Sequence, residues 1–455
     1  MMNTAGSRAW TIVLFLAVAI LAAPGHLLVS DEGLVLSGAM RILSGEQIYT
    51  DFFAYIAPGS FYLSALAMAI FGASYWSAKA AAIALIAGSA YALADIARRL
   101  GARTSNANAA GIIWLFMLSG WFQLVNHNTQ GSAIAVIGIA LVLAALERKR
   151  RVWEFFGAGI VVGLVPVFLQ TKGGILIACI ATSMLVFAWK NILPPRFAGA
   201  AILGMILPGI GMLFVWPFAT LFDSLITWPA LHYREINDVM IFPFILIAGV
   251  TAALGMVIAR MTTSNRKLLL AVIALAQAGM LASTLTRPDL AHVSMATFAL
   301  PIFAAVLSEG RGRHKLAVDT QSLPFRIVAG FLLLFLFLFN VFATIEAEKG
   351  LDRIRAIAIR QSPGLYAYPF LPGYALELGQ PNPYPHDFLF TEMNAPEDFA
   401  ANLAVLEREQ PGLVLRGRSI GDKFRYDWAN SHDQWIAEHY EMIDEVGGIE
   451  ILVRR

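Results

Sequence analysis

Long apolar segments alternate with short polar ones along most of this chain. An apolar helix needs about 20 residues to cross a bilayer, and the sequence offers eleven segments near that length. They lie at residues 10–29, 75–97, 107–124, 130–147, 154–170, 173–189, 197–219, 240–260, 267–285, 291–308 and 325–344. A shorter apolar piece, 61–71, is expected to lie at the membrane surface as an interfacial helix. The pattern predicts an all-α polytopic membrane protein with about 11 transmembrane helices.

Composition supports a membrane protein. The chain is 58% hydrophobic and 14% charged, with a mean hydropathy of +0.65, whereas soluble domains average about 25% charged residues. The first apolar segment is long for a secretory signal, and no small-x-small cleavage site follows it, so we expect it to be a retained helix. The single cysteine, Cys179, lies in an apolar run and excludes an intrachain disulfide or a cysteine cluster.

Basic residues are distributed unevenly among the connections. One alternating set, together with Arg8, holds 17 Lys and Arg residues, whereas the other set holds five. Because basic residues accumulate in cytoplasmic loops, this count predicts a cytoplasmic N-terminus and an outer position for the first loop. An odd number of spans then places the C-terminal segment outside. The five predicted outer cations are Arg41, Lys79, Lys172, Arg234 and Arg287.

The last part of the chain differs in composition from the rest. Residues 1–344 are predicted to form the transmembrane domain and residues 345–455 a small extracytoplasmic α/β domain. A helix is expected after Asn394-Ala395-Pro396 and another near 433–440, with strands at 413–415 and 449–453. The proline-rich stretch 362–385 is expected to be an irregular loop. Its tyrosines could stack on a sugar or simply favour an interface, namely Tyr366, Tyr368, Tyr374 and Tyr384.

A stretch with four carboxylates, residues 30–60, follows the first apolar segment. Ser30 is placed to cap a short helix whose first turn holds Asp31 and Glu32. Apolar residues then recur at helical spacing, which predicts an amphipathic helix on the membrane that ends at Gly45. Asp31 and Glu32 could alternatively be only capping and solubility residues. The stretch also contains Arg41, Glu46 and Asp51.

Further polar groups cluster at the predicted outer ends of the spans. They are Asn126 to Gln130, Gln170 to Gly174, Asp223 to Asp238, and Thr286 to His292. Lys172, Arg234 and Arg287 come from separate loops and could converge on a phosphate. Each could instead extend to outer lipid headgroups. The histidines at 127, 232 and 292 lack ligand-like spacing, so a structural role is favoured for each, with a divalent metal as the alternative.

Several short motifs resemble those of a known enzyme class. They are Asp31-Glu32, Gly45-x-x-x-Tyr49-x-Asp51, Ala57-Pro58-x-x-Phe61-Tyr62 with Phe71-Gly72, Thr171-Lys172-Gly173, and Arg287-Pro288-Asp289-x-x-His292. In order and placement they resemble the GT-C class of membrane glycosyltransferases, which use polyprenyl-phosphate sugars, and specifically the branch of protein O-mannosyltransferases and lipid A aminoarabinose transferases. The aminoarabinose transferases carry an acidic–basic pair before the proline of the second interfacial helix, where this chain has Ile56-Ala57.

The resemblance implies an inverting sugar transfer to an envelope glycolipid, polysaccharide or protein at the outer face of the bacterial plasma membrane. It implies Asp31 as the general base, with Glu32 orienting it and Asp51 touching a sugar hydroxyl or a metal. It also implies membrane lipids around the chain, no nucleic acid partner and no certain cofactor. The implied phosphate-binding residues are Arg41, Lys172, Arg234 and Arg287, and the implied substrate contacts are Tyr55, His127, His232, Tyr233 and His292.

Two other classes of function remain open at this level. A multi-pass lipid or polysaccharide transporter is the main alternative, but the sequence shows few polar residues within the spans and no inverted repeat. A non-enzymatic assembly subunit would need far fewer spans for anchoring. Glycosyl transfer is the favoured interpretation.

Overall fold

Helices make up most of the computed structural model, which describes residues 4–119, 124–149, 151–232, 241–261, 264–309 and 323–455. The first nine helices are α1 (Thr4–Ala22), α2 (Asp31–Leu43), α3 (Gly59–Phe71), α4 (Tyr75–Leu100), α5 (Thr104–Ser119), α6 (His127–Arg148), α7 (Val152–Phe168), α8 (Gln170–Trp189) and α9 (Pro195–Leu213). A π-helical turn, Asp223–Thr227, joins α10 (Phe218–Phe222) to α11 (Trp228–His232). Then come α12 (Ile241–Met261), α13 (Ser264–Ala282), α14 (Leu290–Ala296), α15 (Ala299–Leu307) and α16 (Leu323–Ala358).

Every apolar segment expected from the sequence coincides with a helix or a helix pair. The segment 291–308 corresponds to α14 and α15, which are bent by 61°. Within the described ranges, six helices are long and apolar enough to cross a membrane, and the bent pair would make a seventh. The remaining expected spans coincide with shorter or less apolar helices. The short apolar piece after Pro58 forms α3, as expected.

The chain forms two compact units. The first, which we call the helical unit, comprises Met1–Ala23, Ala82–Pro217 and Asp238–Leu338. The second, which we call the mixed unit, comprises Pro24–Ala81, Phe218–Asn237 and Phe339–Arg455. The expected boundary at 344–345 falls inside α16. The C-terminal segment therefore shares its unit with the first loop and with α10 and α11.

A four-stranded sheet lies in the C-terminal part of the mixed unit. Its strands are β1 (Leu365–Tyr368), β2 (Leu413–Gly417), β3 (Tyr440–Val446) and β4 (Ile449–Arg454), in the order β1-β2-β4-β3. β1 pairs parallel to β2, and the other pairs are antiparallel. The helices of this part are α17 (Gly373–Glu377), α18 (Pro396–Glu409), α19 (Arg418–Lys423) and α20 (Ser431–His439). The expected α/β composition of the tail is confirmed.

The expectation of an irregular loop over 362–385 was wrong, because this stretch contains β1 and α17. Four residues flanked by prolines give little local signal, and β1 pairs with a strand that begins at Leu413, far along the chain. Burial favours a packing role over sugar stacking for the tyrosines of this stretch. All four tyrosines, at 366, 368, 374 and 384, are buried in the mixed unit.

Helix α2 departs from the expected membrane-surface helix. Leu34, Val35, Leu36 and Ala39 are buried on it, whereas Met40 is exposed. The helix packs against α3 and α17 within the mixed unit. Most of its apolar side chains are therefore covered by protein, whereas Leu43, like Met40, is exposed. The side chain of Ser30 makes no capping hydrogen bond, although its carbonyl accepts one from the Leu34 amide.

Gly33 allows α2 to approach α17 closely, and Gly33→Ala is expected to destabilise the fold. A Cβ atom at this position would lie 2.4 Å from the backbone nitrogen of Gly373, which cannot move without moving the chain. Overpacking of this kind costs about 1–3 kcal/mol. Thermal unfolding in detergent measures the loss. Gly199→Ala in α9 is the control, since no atom lies within 4 Å of its added Cβ; equal melting temperatures for the two variants would contradict the close-packing argument.

Candidate active site

The acidic pair lies at the start of α2 in the mixed unit. Asp31 is the first residue of the helix and is partly exposed, while Glu32 is 0% exposed. Glu32 Oε2 accepts hydrogen bonds from the backbone nitrogen of Leu28, at 3.0 Å, and from the hydroxyl of Tyr75, at 3.2 Å. Glu32 thus fixes the chain on both sides of Asp31. Asp31 is the carboxylate of the pair that can reach a ligand.

A buried lysine supports Glu32. Lys79 is 1% exposed, and its Nζ lies 4.2 Å from the ring centroid of Trp76 and 5.1 Å from that of Tyr75. The charges of Lys79 and Glu32 attract each other. A buried carboxylate without such support is costly. The sequence pointed to Lys79 only as one of five outer cations.

Arg41 is anchored inside the mixed unit. It is 6% exposed, and all three guanidinium nitrogens are engaged. Nε and Nη2 contact Glu46, Nη1 donates to the carbonyl of Tyr384 at 2.6 Å, and Nη2 donates to the carbonyl of Asp51 at 3.2 Å. The exposed Asp51 carboxylate accepts a hydrogen bond from the backbone nitrogen of Gln47 at 2.7 Å. These contacts stabilise the loop after α2.

A further carboxylate, which the sequence did not indicate, lies beside α2. Asp387 is 8% exposed and accepts hydrogen bonds from Ser37, at 2.7 Å, and from the side chain of Asn382. Burial raises its pKa, although Arg41 and these two hydrogen bonds act in the opposite direction. No local motif surrounds Asp387, because its partner Ser37 lies 350 positions earlier.

Aromatic side chains of the mixed unit surround Tyr55. The Tyr55 ring lies 4.9 Å from the ring centroids of both Trp228 and Phe388. His232 lies 5.3 Å from Trp228. Tyr55 and His232 therefore belong to one half-buried aromatic cluster. The other two residues expected near them, Tyr233 and Arg234, lie outside the described residues.

In the helical unit, Lys172 lies in the first turn of α8. It is 3% exposed, and its Nζ donates to the hydroxyl of Ser132 on α6 at 2.6 Å. The following Gly173 is needed because α8 begins against the end of α7: a Cβ there would lie 2.1 Å from the backbone nitrogen of Pro166. The Thr-Lys-Gly motif thus places a buried cation at a helix N-terminus, where anions bind favourably.

The Arg-Pro-Asp motif forms a compact ionic group before α14. Asp289 caps this helix by accepting from the His292 amide at 2.8 Å. The His292 Nδ1 also lies 2.8 Å from the Asp289 carboxylate, and Arg287 Nε donates to it at 3.0 Å. Burial would raise the pKa of Asp289, but His292 and Arg287 lower it to about 2. Asp289 is therefore ionised and holds both basic side chains in place.

The positive charges of Lys172 and Arg287 act on His127, the first residue of α6, and His292 also interacts with it electrostatically. The helical unit thus brings together four of the expected site residues, namely His127, Lys172, Arg287 and His292. Among the described residues, no three His, Cys, Asp or Glu side chains are grouped as a metal ion would require. The alternative of a divalent metal gains no support from this part of the chain.

An apolar groove of about 860 Å³ runs between α12 and α13 of the helical unit. Small side chains of both helices form its walls, including Ala248, Ala252, Ala274 and Ala278. It reaches Leu285, which precedes Arg287 by two positions. One end of the groove is therefore close in sequence to the ionic group that contains Arg287.

Comparison with known proteins identifies the fold. No protein-family profile matches the sequence, and no curated protein matches it. The structure of ArnT from Cupriavidus metallidurans bound to undecaprenyl phosphate is similar at a TM-score of 0.67, with 12% identity over 99% of this chain and 98% of that one. The apo form of the same protein is similar at a TM-score of 0.67 with 11% identity, over the same shares of the two chains. The Archaeoglobus fulgidus oligosaccharyltransferase, in complex with Zn and sulfate, gives 0.53 and 11%, over 94% of this chain and 71% of that one.

At this identity the likeness is one of fold. ArnT is a lipid A aminoarabinose transferase of the GT-C class. The resemblance indicated by the sequence motifs is therefore confirmed at the level of the fold.

Proposed function

We propose that this GT-C-like protein transfers a sugar from a polyprenyl-phosphate donor to an envelope acceptor on the outer face of the bacterial plasma membrane. The observation that carries the proposal is the buried Lys172. Its Nζ donates a hydrogen bond to a neutral hydroxyl, that of Ser132, and no carboxylate among the described residues forms an ion pair with it. A buried cation is costly unless an anion accompanies it. A donor phosphate supplies that anion.

The phosphate-binding group proposed here consists of Lys172, Arg287, His127 and His292. Arg287 is held by Asp289 rather than left to move, which reduces the entropy lost when it binds a phosphate. Lys172 adds charge at the start of α8. Arg41, by contrast, is fully engaged in loop contacts, so we assign it a structural role. The bound undecaprenyl phosphate of the ArnT structure supports a donor of this class.

Asp31 is the proposed general base. It accepts the proton of the acceptor hydroxyl or amine as that atom attacks the anomeric carbon. The bond between the anomeric carbon and the phosphate oxygen breaks at the same time, and its electron pair stays on the phosphate. Lys172 and Arg287 stabilise the charge that develops there. One displacement of this kind inverts the anomeric centre. Glu32 orients Asp31 through Leu28 and Tyr75.

The groove between α12 and α13 is the proposed site of the polyprenyl tail. It is apolar, about 860 Å³ in volume, and ends near Arg287 in the chain. Its wall on α12 extends from residue 244 to 259, or about 22 Å at 1.5 Å per residue. One leaflet contributes only about 15 Å of hydrocarbon. The groove length therefore suits a chain longer than that of a leaflet lipid.

Filling this groove is expected to weaken binding of long-chain donors. Ala278→Trp would occupy space between the two helices, and each CH₂ group displaced from apolar burial costs about 0.8 kcal/mol. Losing two such contacts lowers affinity about tenfold. Titration with long- and short-chain polyprenyl phosphates checks this, because the short chain should be unaffected. Leu203→Trp on the exposed side of α9 is the control; equal weakening of both chain lengths would contradict a tail site.

The activity itself is tested with purified protein in liposomes, an undecaprenyl-phosphate sugar and an envelope extract. Mass spectrometry should detect free undecaprenyl phosphate that appears only when the acceptor fraction is present. Transport without cleavage of the sugar–phosphate bond would instead support the transporter alternative.

A further inference from the structure

The first turn of α6 contains buried polar atoms that have no hydrogen-bond partner within the described part of the chain. Asn126 and Gln130 are both 0% exposed. The Nδ2 of Asn126 and both amide atoms of Gln130, Oε1 and Nε2, lack partners there, as does the Nδ1 of His127. Buried polar groups nearly always have a partner. A cluster of four such atoms at one helix start therefore indicates a ligand.

Gln277 shows how the same unit treats a buried glutamine that serves the fold. It is 4% exposed, its Nε2 donates to the carbonyl of Ala296 at 3.0 Å, and its Oε1 accepts from the Ala299 amide at 2.8 Å. Both halves of that amide are satisfied. Gln130 is equally buried but has no such contacts, so the packing of the fold alone does not account for it.

These groups lie at the same end of α6 as His127, a member of the proposed phosphate-binding group. Asn126 and Gln130 are four positions apart, which brings them to the same side of the helix. Ser132, on the next turn of α6 and on a different face from Gln130, accepts the hydrogen bond from Lys172. The charges of Lys172 and Arg287 act on His127. The first two turns of α6 therefore carry the unpartnered atoms together with His127 and Ser132, the two residues of this helix that interact with those cations.

The chemistry of an amide identifies the part of the donor that it binds. An amide presents both donors and an acceptor, and a hydroxyl group does the same, whereas an ionised phosphate only accepts. We propose that Gln130 and Asn126 bind the hydroxyl or amino groups of the donor sugar and determine which sugar is accepted. This inference rests on the proposed function.

Gln130→Met separates this role from a structural one. Removing an amide that has no protein partner should leave the melting temperature of the ligand-free protein unchanged or raised. Affinity for the undecaprenyl-phosphate sugar preferred by the wild type should fall about tenfold or more. Affinity for undecaprenyl phosphate alone should change less than about twofold. Rates with glucose-, mannose- and aminoarabinose-bearing donors should become more alike.

Gln277→Met is the control for stability and for sugar preference only, because Gln277 also lines the groove assigned to the polyprenyl tail. It should lower the melting temperature while leaving the order of sugar preference unchanged. The inference is overturned if Gln130→Met unfolds or destabilises the protein as Gln277→Met does, or if it weakens undecaprenyl phosphate and the sugar donor equally. Unchanged affinity for both ligands would show that the Gln130 amide contacts only water, and this result would also overturn the inference. If wild-type protein binds no undecaprenyl phosphate, the proposed function fails first, and that result is distinct from the others.

Discussion

Asp31→Asn is expected to reduce the rate of sugar transfer by about 10²- to 10⁴-fold, the usual contribution of a general base. The amide keeps nearly the same size but cannot accept the acceptor proton. Glu32 and its contacts to Leu28 and Tyr75 remain, so the start of α2 should keep its structure. The measurement is the steady-state rate with a reconstituted donor, together with the melting temperature. Donor affinity should be nearly unchanged.

Asp51→Asn provides the comparison within the same loop. The Asp51 carboxylate accepts from the Gln47 amide, and an asparagine oxygen can do the same, so the fall in rate should be much smaller. A strong loss with Asp51→Asn and full activity with Asp31→Asn would reverse the assignment of the base. Loss in both, with intact folding, would show that the two carboxylates act together.

Lys172→Met should lower kcat by about 10²- to 10³-fold, as the loss of one group that stabilises developing charge does. It should also weaken donor binding, since the lysine contacts the phosphate in the ground state as well. Methionine retains most of the apolar stem, and a buried charge without a carboxylate contributes little to folding. The melting temperature without donor should therefore hold or rise. Rate, donor affinity and thermal unfolding are measured on the same preparation.

Lys190→Met is the matched control because Lys190 is an exposed lysine directly after the other end of α8. It should leave rate and donor affinity unchanged. A Lys172→Met protein that is destabilised but turns over at the wild-type rate would mean that Lys172 serves folding, and the phosphate assignment would then be abandoned.

Local pattern in the sequence was enough to locate the long apolar helices. Apolar runs of spanning length coincide with α4, α6 and α12, and the break at Thr297 is the main departure among the expected spans. Short motifs that permit close backbone packing or cap a helix were also visible in the sequence. Thr-Lys-Gly marks the start of α8, where the helix packs closely against the end of α7. Arg-Pro-Asp marks the start of α14, which Asp289 caps.

Features that depend on distant parts of the chain were missed. Asp387 is held by a hydrogen bond from Ser37, and β1 is held by its pairing with β2. Because both partners are distant in sequence, neither feature has a local sequence signature. The covered face of α2 looked like a membrane-facing one because its apolar spacing suits either environment. The polar run from Asn126 to Gln130 was visible in the sequence, but only the structure shows that the amide of Gln130 has no partner in the described chain.

The unpartnered amide of Gln130 has an evolutionary consequence. A side chain that forms no hydrogen bond with its own protein can be replaced without lowering stability, so selection for folding does not hold it in place. Gly33 and Glu32, with their close packing and buried bonds, have no such freedom. Proteins descended from a common ancestor with this scaffold can therefore diverge in sugar preference through α6 while the acidic start of α2 stays fixed.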